Sequence, residues 1–154
     1  MLKHIFPDEF FKNPAFFRAF ILGMMYVGLV VTQLFTFEKF TDVVAGFGLP
    51  GGRITAVIVA VAVPLVEIIA LPYLISMKLS GRVRAITRVA TVVAPSLWLV
   101  LALWMNVFPE SSRLNSGLFG ATIPTVVGIW VILFAALWLW AAVLVMRELP
   151  PRDK

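Results

Sequence analysis

Apolar residues gather along the chain in four long stretches, and polar residues are largely confined to the ends and the connections. The stretches cover about residues 16–35, 54–77, 85–108 and 122–146. A helix needs about 20 residues to cross the hydrocarbon core of a bilayer, and each stretch reaches that length. Because a chain in lipid must satisfy its own backbone hydrogen bonds, each stretch is predicted to be a transmembrane helix. The pattern predicts an all-α membrane protein, a four-transmembrane-helix bundle in which residues 1–154 form a single integral membrane domain.

A shorter pattern lies between the first and second stretches. Apolar side chains recur there at helical spacing, and polar side chains fall on the opposite face. This pattern predicts a short amphipathic outer helix, which we interpret as an interfacial lid in preference to a catalytic site. Glu38 and Asp42 form an acidic pair on its polar face, but two carboxylates are too few to hold calcium or magnesium. Its apolar face contains Phe37, Phe40, Val43, Val44 and Phe47.

Lysine and arginine are distributed unequally between the two sides that this topology defines. Ten lie in the N-terminal segment, in or beside the connection between the second and third stretches, and in the C-terminal tail, whereas three lie in the other two connections. Because positive charge is retained on the cytoplasmic side, both termini are predicted to be cytoplasmic, an N-in/C-in arrangement. The ten are Lys3, Lys12, Arg18, Lys78, Arg82, Arg84, Arg88, Arg147, Arg152 and Lys154, and the three are Lys39, Arg53 and Arg113.

Composition supports lipid as the solvent and narrows the chemistry. Hydrophobic residues make up 61% of the chain and charged residues 14%, which is more apolar surface than a soluble domain of this size can bury. The net charge of +5 is explained by membrane orientation, so no nucleic-acid partner is predicted. With no cysteine and one histidine, the chain cannot build a thiolate, iron–sulfur or two-histidine metal site alone. We therefore predict no metal site and no catalytic residue.

One carboxyl, that of Glu67, interrupts the second stretch near its middle. It is the only acidic residue within the four stretches, and a carboxylate at the bilayer centre costs on the order of 2.5–3.5 kcal/mol. The group could be protonated, bonded to a neighbouring helix, or exposed to a polar cavity. Pro64 and Pro72 lie on either side of it, and each proline frees the carbonyl four residues earlier. A proton, quinone or small-solute site and a structural carboxyl that joins helices are both compatible with this pattern.

Three further polar residues are candidates for a ligand or proton site. Tyr26 lies in the middle of the first stretch and could donate to a buried acceptor such as Glu67. Gln33, near the outer end of that stretch, could reach a partner helix or the lipid headgroups. Ser96 follows Pro95 in the third stretch, where the proline frees another carbonyl. The central tryptophans are predicted to pack in the bundle or to face lipid.

The connection after the first helix carries a recognisable succession of residues. Gln33 closes the helix, Phe40 follows seven residues later, and Gly48-Leu49-Pro50 precedes the second helix. Further along, Glu67 is followed by small and apolar residues and then by a basic turn. This succession, over about residues 18–106, resembles the DoxX-like superfamily of four-helix membrane proteins, which includes the MauE-type proteins. That family usually has lysine in place of Gln33, and Lys39, one and a half turns away, could replace it by reaching back.

The resemblance implies an accessory membrane subunit of a redox-linked or quinone-linked complex, in the inner membrane of a bacterium. Such a subunit is not self-sufficient in catalysis, and it contacts the lipid bilayer and other membrane or peripheral redox subunits. The ligand that the resemblance implies is a quinone or a lipid, held without metal ligation or a covalent bond. Two alternatives stay open: a small proton-coupled transporter that acts as a homo-oligomer, and a purely structural or assembly subunit of a larger membrane complex.

Overall fold

The computed structural model describes residues 13–108 and 115–150. Four of the helices in these ranges are long and apolar enough to cross a membrane, and a fifth, short helix joins the first two of them. The prediction of an all-α chain with four long apolar spans is therefore confirmed. The helices are α1 (Pro14–Phe35), α2 (Phe37–Ala45), α3 (Gly52–Leu74), α4 (Gly81–Val107) and α5 (Ile129–Glu148).

Local features mark the start of α1 and the end of α3. The side chain of Asn13 accepts a hydrogen bond from the backbone N–H of Ala15 at 2.9 Å, and the proline at the first helical position has no N–H that needs a partner. α3 ends at Leu74, three residues before the predicted boundary, and Ser76 then adopts a left-handed backbone with φ of +56°. α1 and α3 otherwise follow the apolar pattern closely.

The last span begins later than the apolar pattern predicts. The predicted helix starts at residue 122, whereas α5 starts at Ile129. The intervening residues are not helical, because Val126 pairs with Asn115 in an isolated antiparallel bridge and the backbone N–H of Thr125 donates to the Asn115 side chain. The hydropathy pattern therefore extended the predicted helix over residues 122–128, which belong to a non-helical segment before α5.

The spans pack through small residues on their inner faces. Ala19, Ala60, Ala94 and Ala135, one from each span, are fully or almost fully buried, and small side chains let membrane helices approach closely. α4 packs against α3 and α5, and α1 packs mainly against α3. α1 and α5 touch much less and leave a groove between them.

Both ends of the described chain lie at the same end of the bundle. Arg18, in the first turns of α1, forms an ion pair with Glu148 at the end of α5, with 2.9 Å between Nη1 and Oε2. Arg84, near the start of α4, donates to the carbonyl of Pro150 at 2.9 Å. Which end faces the cytoplasm stays a prediction, since several of the charges behind it lie outside the described residues: Lys3, Lys12, Arg113, Arg152 and Lys154.

Candidate functional site

Glu67 projects from α3 into the interior of the bundle and is completely buried. It lies four residues past the midpoint of α3, about 6 Å along the axis. Trp98 of α4 donates its indole N–H to Oε1 of Glu67 at 2.9 Å. Gln33 of α1 donates its amide to the same oxygen at 3.4 Å. The carboxyl therefore joins three helices, and these bonds offset part of the cost of burying it.

Gln33 also connects this cluster to the segment that precedes α5. Its amide nitrogen lies 3.4 Å from the carbonyl oxygen of Leu118, and both residues are fully buried. The neighbouring Gly120 has φ of +66°, and an added Cβ would collide with the backbone of Thr32. A glycine is required there because the segment passes directly against the end of α1. The cluster thus lies beneath a closely fitted, non-helical segment.

That segment, residues 115–128, is a hairpin whose polar groups form hydrogen bonds with one another. Oδ1 of Asn115 accepts from the backbone N–H groups of Gly117 at 3.1 Å and Thr125 at 3.0 Å. Its amide nitrogen donates to the carbonyl of Gly120 at 3.0 Å. The hydroxyls of Ser116 and Thr125 are 2.6 Å apart. Ser116, Gly117, Leu118 and Gly120 of the hairpin are buried, and their part of the segment makes its hydrogen bonds internally, as non-helical backbone packed against membrane helices requires.

Two polar atoms of the cluster have no hydrogen-bond partner among the described residues: Oε2 of Glu67 and Oε1 of Gln33. Both are acceptors when the carboxyl is ionised, and a proton on Glu67 would turn one of its oxygens into a donor.

Tyr26 contacts a different acceptor from the one that the sequence suggested. Its hydroxyl donates to the backbone carbonyl of Thr91 at 2.5 Å, not to Glu67. The residue four positions after Thr91 is Pro95, which has no N–H, so this carbonyl lacks its helical partner. The tyrosine ring meets Trp138 edge-on, with ring centroids 5.0 Å apart. Tyr26 therefore links α1 to α4 by completing a hydrogen bond that a proline removed.

The other candidates lie away from the Glu67 cluster. The hydroxyl of Ser96 donates to the carbonyl of Val92 within its own helix at 2.8 Å. Lys39 is an exposed residue of α2, and none of the hydrogen bonds or ion pairs found between described residues joins it to Glu67. Glu38 and Asp42 are also exposed. Within residues 13–108 and 115–150, no group of three or more His, Cys, Asp or Glu side chains could hold a metal ion.

The sequence interpretation did not assign Trp98 to the site. One signal was available: Trp98 lies inside a span, whereas tryptophan favours the headgroup region, and a buried indole N–H needs an acceptor. Comparisons with protein-family models, with curated proteins and with solved structures find no match to this chain. The functional argument therefore rests on the residues themselves.

Proposed function

We propose that this chain is an integral membrane subunit of a larger redox-linked or quinone-linked complex, and that it supplies a scaffold and a binding surface. The observation that carries the proposal is the complete burial of Glu67, whose carboxyl bonds to α1 and α4. A carboxyl engaged in this way joins helices and does not face a solute pathway. The redox class of the complex comes from the DoxX-like resemblance of residues 18–106.

The chemistry of the chain supports a dependent role. It contains no cysteine and only one histidine, so a two-histidine haem or copper site or an iron–sulfur centre would need ligands from another protein. In the proposed arrangement the termini are cytoplasmic, and α2 lies on the outer face as an interfacial lid. The burial of Phe40 and Val44 and the exposure of Glu38 and Asp42 support that placement of α2.

The partner surface that we propose is the outward face of α5. Trp130, Leu133, Leu137 and Trp140 recur at spacings of three and four residues and are all exposed, which is the seam along which two membrane helices pack. Trp140 lies close to the middle of α5 and is 62% exposed. Since tryptophan favours the headgroup region over the bilayer centre, contact with a transmembrane helix of a partner subunit explains this residue better than contact with lipid.

A neighbouring groove suits the proposed apolar ligand. It occupies about 510 Å³ between α1 and α5, and its walls are almost entirely apolar. Met25, Phe134 and Trp138 are among its lining residues, and so are Leu137 and Trp140 of the partner surface, whereas Glu67 is not. A groove of this size and chemistry fits the hydrocarbon tail of a quinone or a lipid.

Affinity purification in a mild detergent, with a tag on this chain, tests the proposal. The expected result is co-purification of a subunit that carries flavin, haem or iron–sulfur, and its loss in a W130A/L133A variant, which truncates the two residues of the partner surface that do not line the groove. The control is L65A/I68A on α3, which also truncates two exposed apolar residues of a span. Isolation of a stable lone chain, or equal loss in both variants, would contradict the proposal.

The two unpaired acceptors in the cluster favour a second candidate, a proton-coupled transporter. Oε2 of Glu67, which has no partner among the described residues, could take up a proton that is exchanged with substrate. Glu67→Gln separates the candidates because the amide keeps an acceptor for Trp98 but cannot take up or release a proton. A subunit should keep its partner in this variant, whereas a transporter reconstituted in vesicles should lose proton-coupled flux.

A further inference from the structure

A second polar site lies at the end of the bundle that holds both ends of the described chain. It is a cleft of about 300 Å³ between the end of α3, the start of α4 and the end of α5. Three of its six lining residues are arginines and none is acidic. The lining residues are Tyr73, Arg84, Arg88, Met146, Arg147 and Leu149.

Backbone carbonyls hold two of the arginines in place. The carbonyl of Met146 has no helical donor because the residue four positions later is Pro150. Arg88 donates to this carbonyl at 3.3 Å, and the hydroxyl of Tyr73 donates to it at 3.4 Å. Arg84 donates to the carbonyl of Pro150 at 2.9 Å, and its guanidinium lies 5.6 Å from the centre of the Tyr73 ring. These contacts fix the guanidinium groups without neutralising their charge.

The positive charge of the cleft has no carboxylate partner in the described part of the chain. The ion pairs found there involve Arg18 and Arg53, and neither includes Arg84, Arg88 or Arg147. A guanidinium has five N–H donors, and each carbonyl contact above uses one nitrogen. Several donors on three converging cations therefore stay available for an anion, and phosphate oxygens match the planar guanidinium fork well.

The position of the cleft along the membrane normal favours a lipid as the source of that anion. α4 has 27 residues and is about 40 Å long, whereas the hydrocarbon core is only about 30 Å thick. The excess of about 10 Å is assigned to the first turns of α4 because they carry Arg84 and Arg88, whose charged ends favour the headgroup layer. One turn deeper, Val92 of α4 and Val143 of α5 are half-buried and apolar, so an acyl chain can follow the seam between these helices.

We propose that this cleft binds the phosphate of an anionic phospholipid, with Arg84, Arg88 and Arg147 as its ligands and the α4–α5 seam as the path of an acyl chain. Basic pockets between the ends of membrane helices are suited to such headgroups. The site is separate from the Glu67 cluster and from the α5 surface, and it does not depend on the redox partner.

Native mass spectrometry of the full chain in detergent, with phosphatidylglycerol and phosphatidylcholine as probes, tests this site. Phosphatidylglycerol should be retained more strongly and should raise the thermal unfolding temperature, whereas inorganic phosphate at equal concentration should not. R88Q/R147Q should weaken phosphatidylglycerol binding about 25-fold, at about fivefold for each arginine. R88K/R147K should recover only part of the affinity, because lysine keeps the positive charge but lacks the guanidinium fork.

R82Q is the matched control because Arg82 is exposed on the same turn of α4 but does not line the cleft. It should leave binding unchanged. If R88Q/R147Q does not fold, R147Q alone removes no described hydrogen bond and should weaken binding about fivefold. Equal retention of both lipids, an equal effect of R82Q, or an equal response to inorganic phosphate would each overturn the lipid site.

Discussion

Replacing Tyr26 by phenylalanine removes one hydroxyl and leaves the aromatic ring against Trp138. That hydroxyl is the donor to the carbonyl of Thr91, at 2.5 Å in the buried interior. The carbonyl has no alternative helical donor because residue 95 is proline. Tyr26→Phe is therefore expected to destabilise the fold by stranding a buried acceptor.

The expected loss follows from the burial of that acceptor. An unsatisfied buried polar group costs about 1–3 kcal/mol, while measured hydrogen bonds between membrane helices average about 0.6 kcal/mol and reach about 1.7 kcal/mol. Because the contact is short and fully buried, we expect a loss of about 1.5 kcal/mol in the free energy of unfolding. Tyr73→Phe is the matched control, because its bond to the Met146 carbonyl is longer, at 3.4 Å, and Arg88 donates to the same oxygen. Its loss should be smaller.

A double-mutant cycle tests whether the proline at position 95 is the reason that the Thr91 carbonyl depends on the Tyr26 hydroxyl. Pro95→Ala restores a backbone N–H that can donate to the Thr91 carbonyl, so Tyr26→Phe should cost almost nothing in that background. The assay is reversible unfolding in mixed micelles, followed by circular dichroism for the four variants of the cycle. An equal loss from Tyr26→Phe with proline or alanine at position 95 would refute the explanation.

Two further predictions concern the hairpin and the orientation. Gly120→Ala should destabilise the protein by roughly 1–3 kcal/mol, because φ is +66° and the added Cβ would collide with the backbone of α1. Gly28→Ala, at an open helical position, is the control and should stabilise the protein by about 0.5–1 kcal/mol. Chemical denaturation measures both changes, and an unchanged stability of Gly120→Ala would contradict the close fit of the hairpin against α1. Since the chain has no cysteine, Ser80→Cys and Ser111→Cys report orientation by labelling of intact cells with an impermeant maleimide. Only Ser111→Cys should react from outside. Labelling of Ser80→Cys alone would show that the orientation is opposite to the predicted N-in/C-in arrangement.

The pairing of Gln33 with Glu67 shows how far the sequence could lead. An intramembrane carboxyl needs a partner, and the sequence predicts that Gln33 could reach a neighbouring helix but indicates Tyr26 as the possible donor to Glu67. Gln33 and Glu67 are both buried, and they lie within hydrogen-bonding distance. By contrast, the acceptor of Tyr26 was not predictable from composition, because it is a backbone carbonyl whose availability depends on Pro95 and on the rotation of α4 relative to α1.

The hairpin before α5 escaped the sequence analysis for a related reason. Hydropathy measures apolar length, and residues 122–128 are apolar enough to extend the span. Their backbone instead bonds to the side chain of Asn115 and the backbone of Ser116, an arrangement that depends on contacts between positions about ten residues apart in the sequence. The same limit applies to Trp98. Its indole can be identified as a hydrogen-bond donor to Glu67 only when the position and rotation of α4 relative to α3 are known.

The central claim is that the carboxyl of Glu67 serves to join the spans, and a comparison of two tryptophan variants tests it most directly. Trp98→Phe removes the donor at 2.9 Å from Glu67. Trp138→Phe makes the same change at another buried tryptophan, whose indole is not bonded to Glu67. In reversible unfolding, Trp98→Phe should cost roughly 1–2 kcal/mol more than Trp138→Phe. Equal losses in the two variants would contradict the claim.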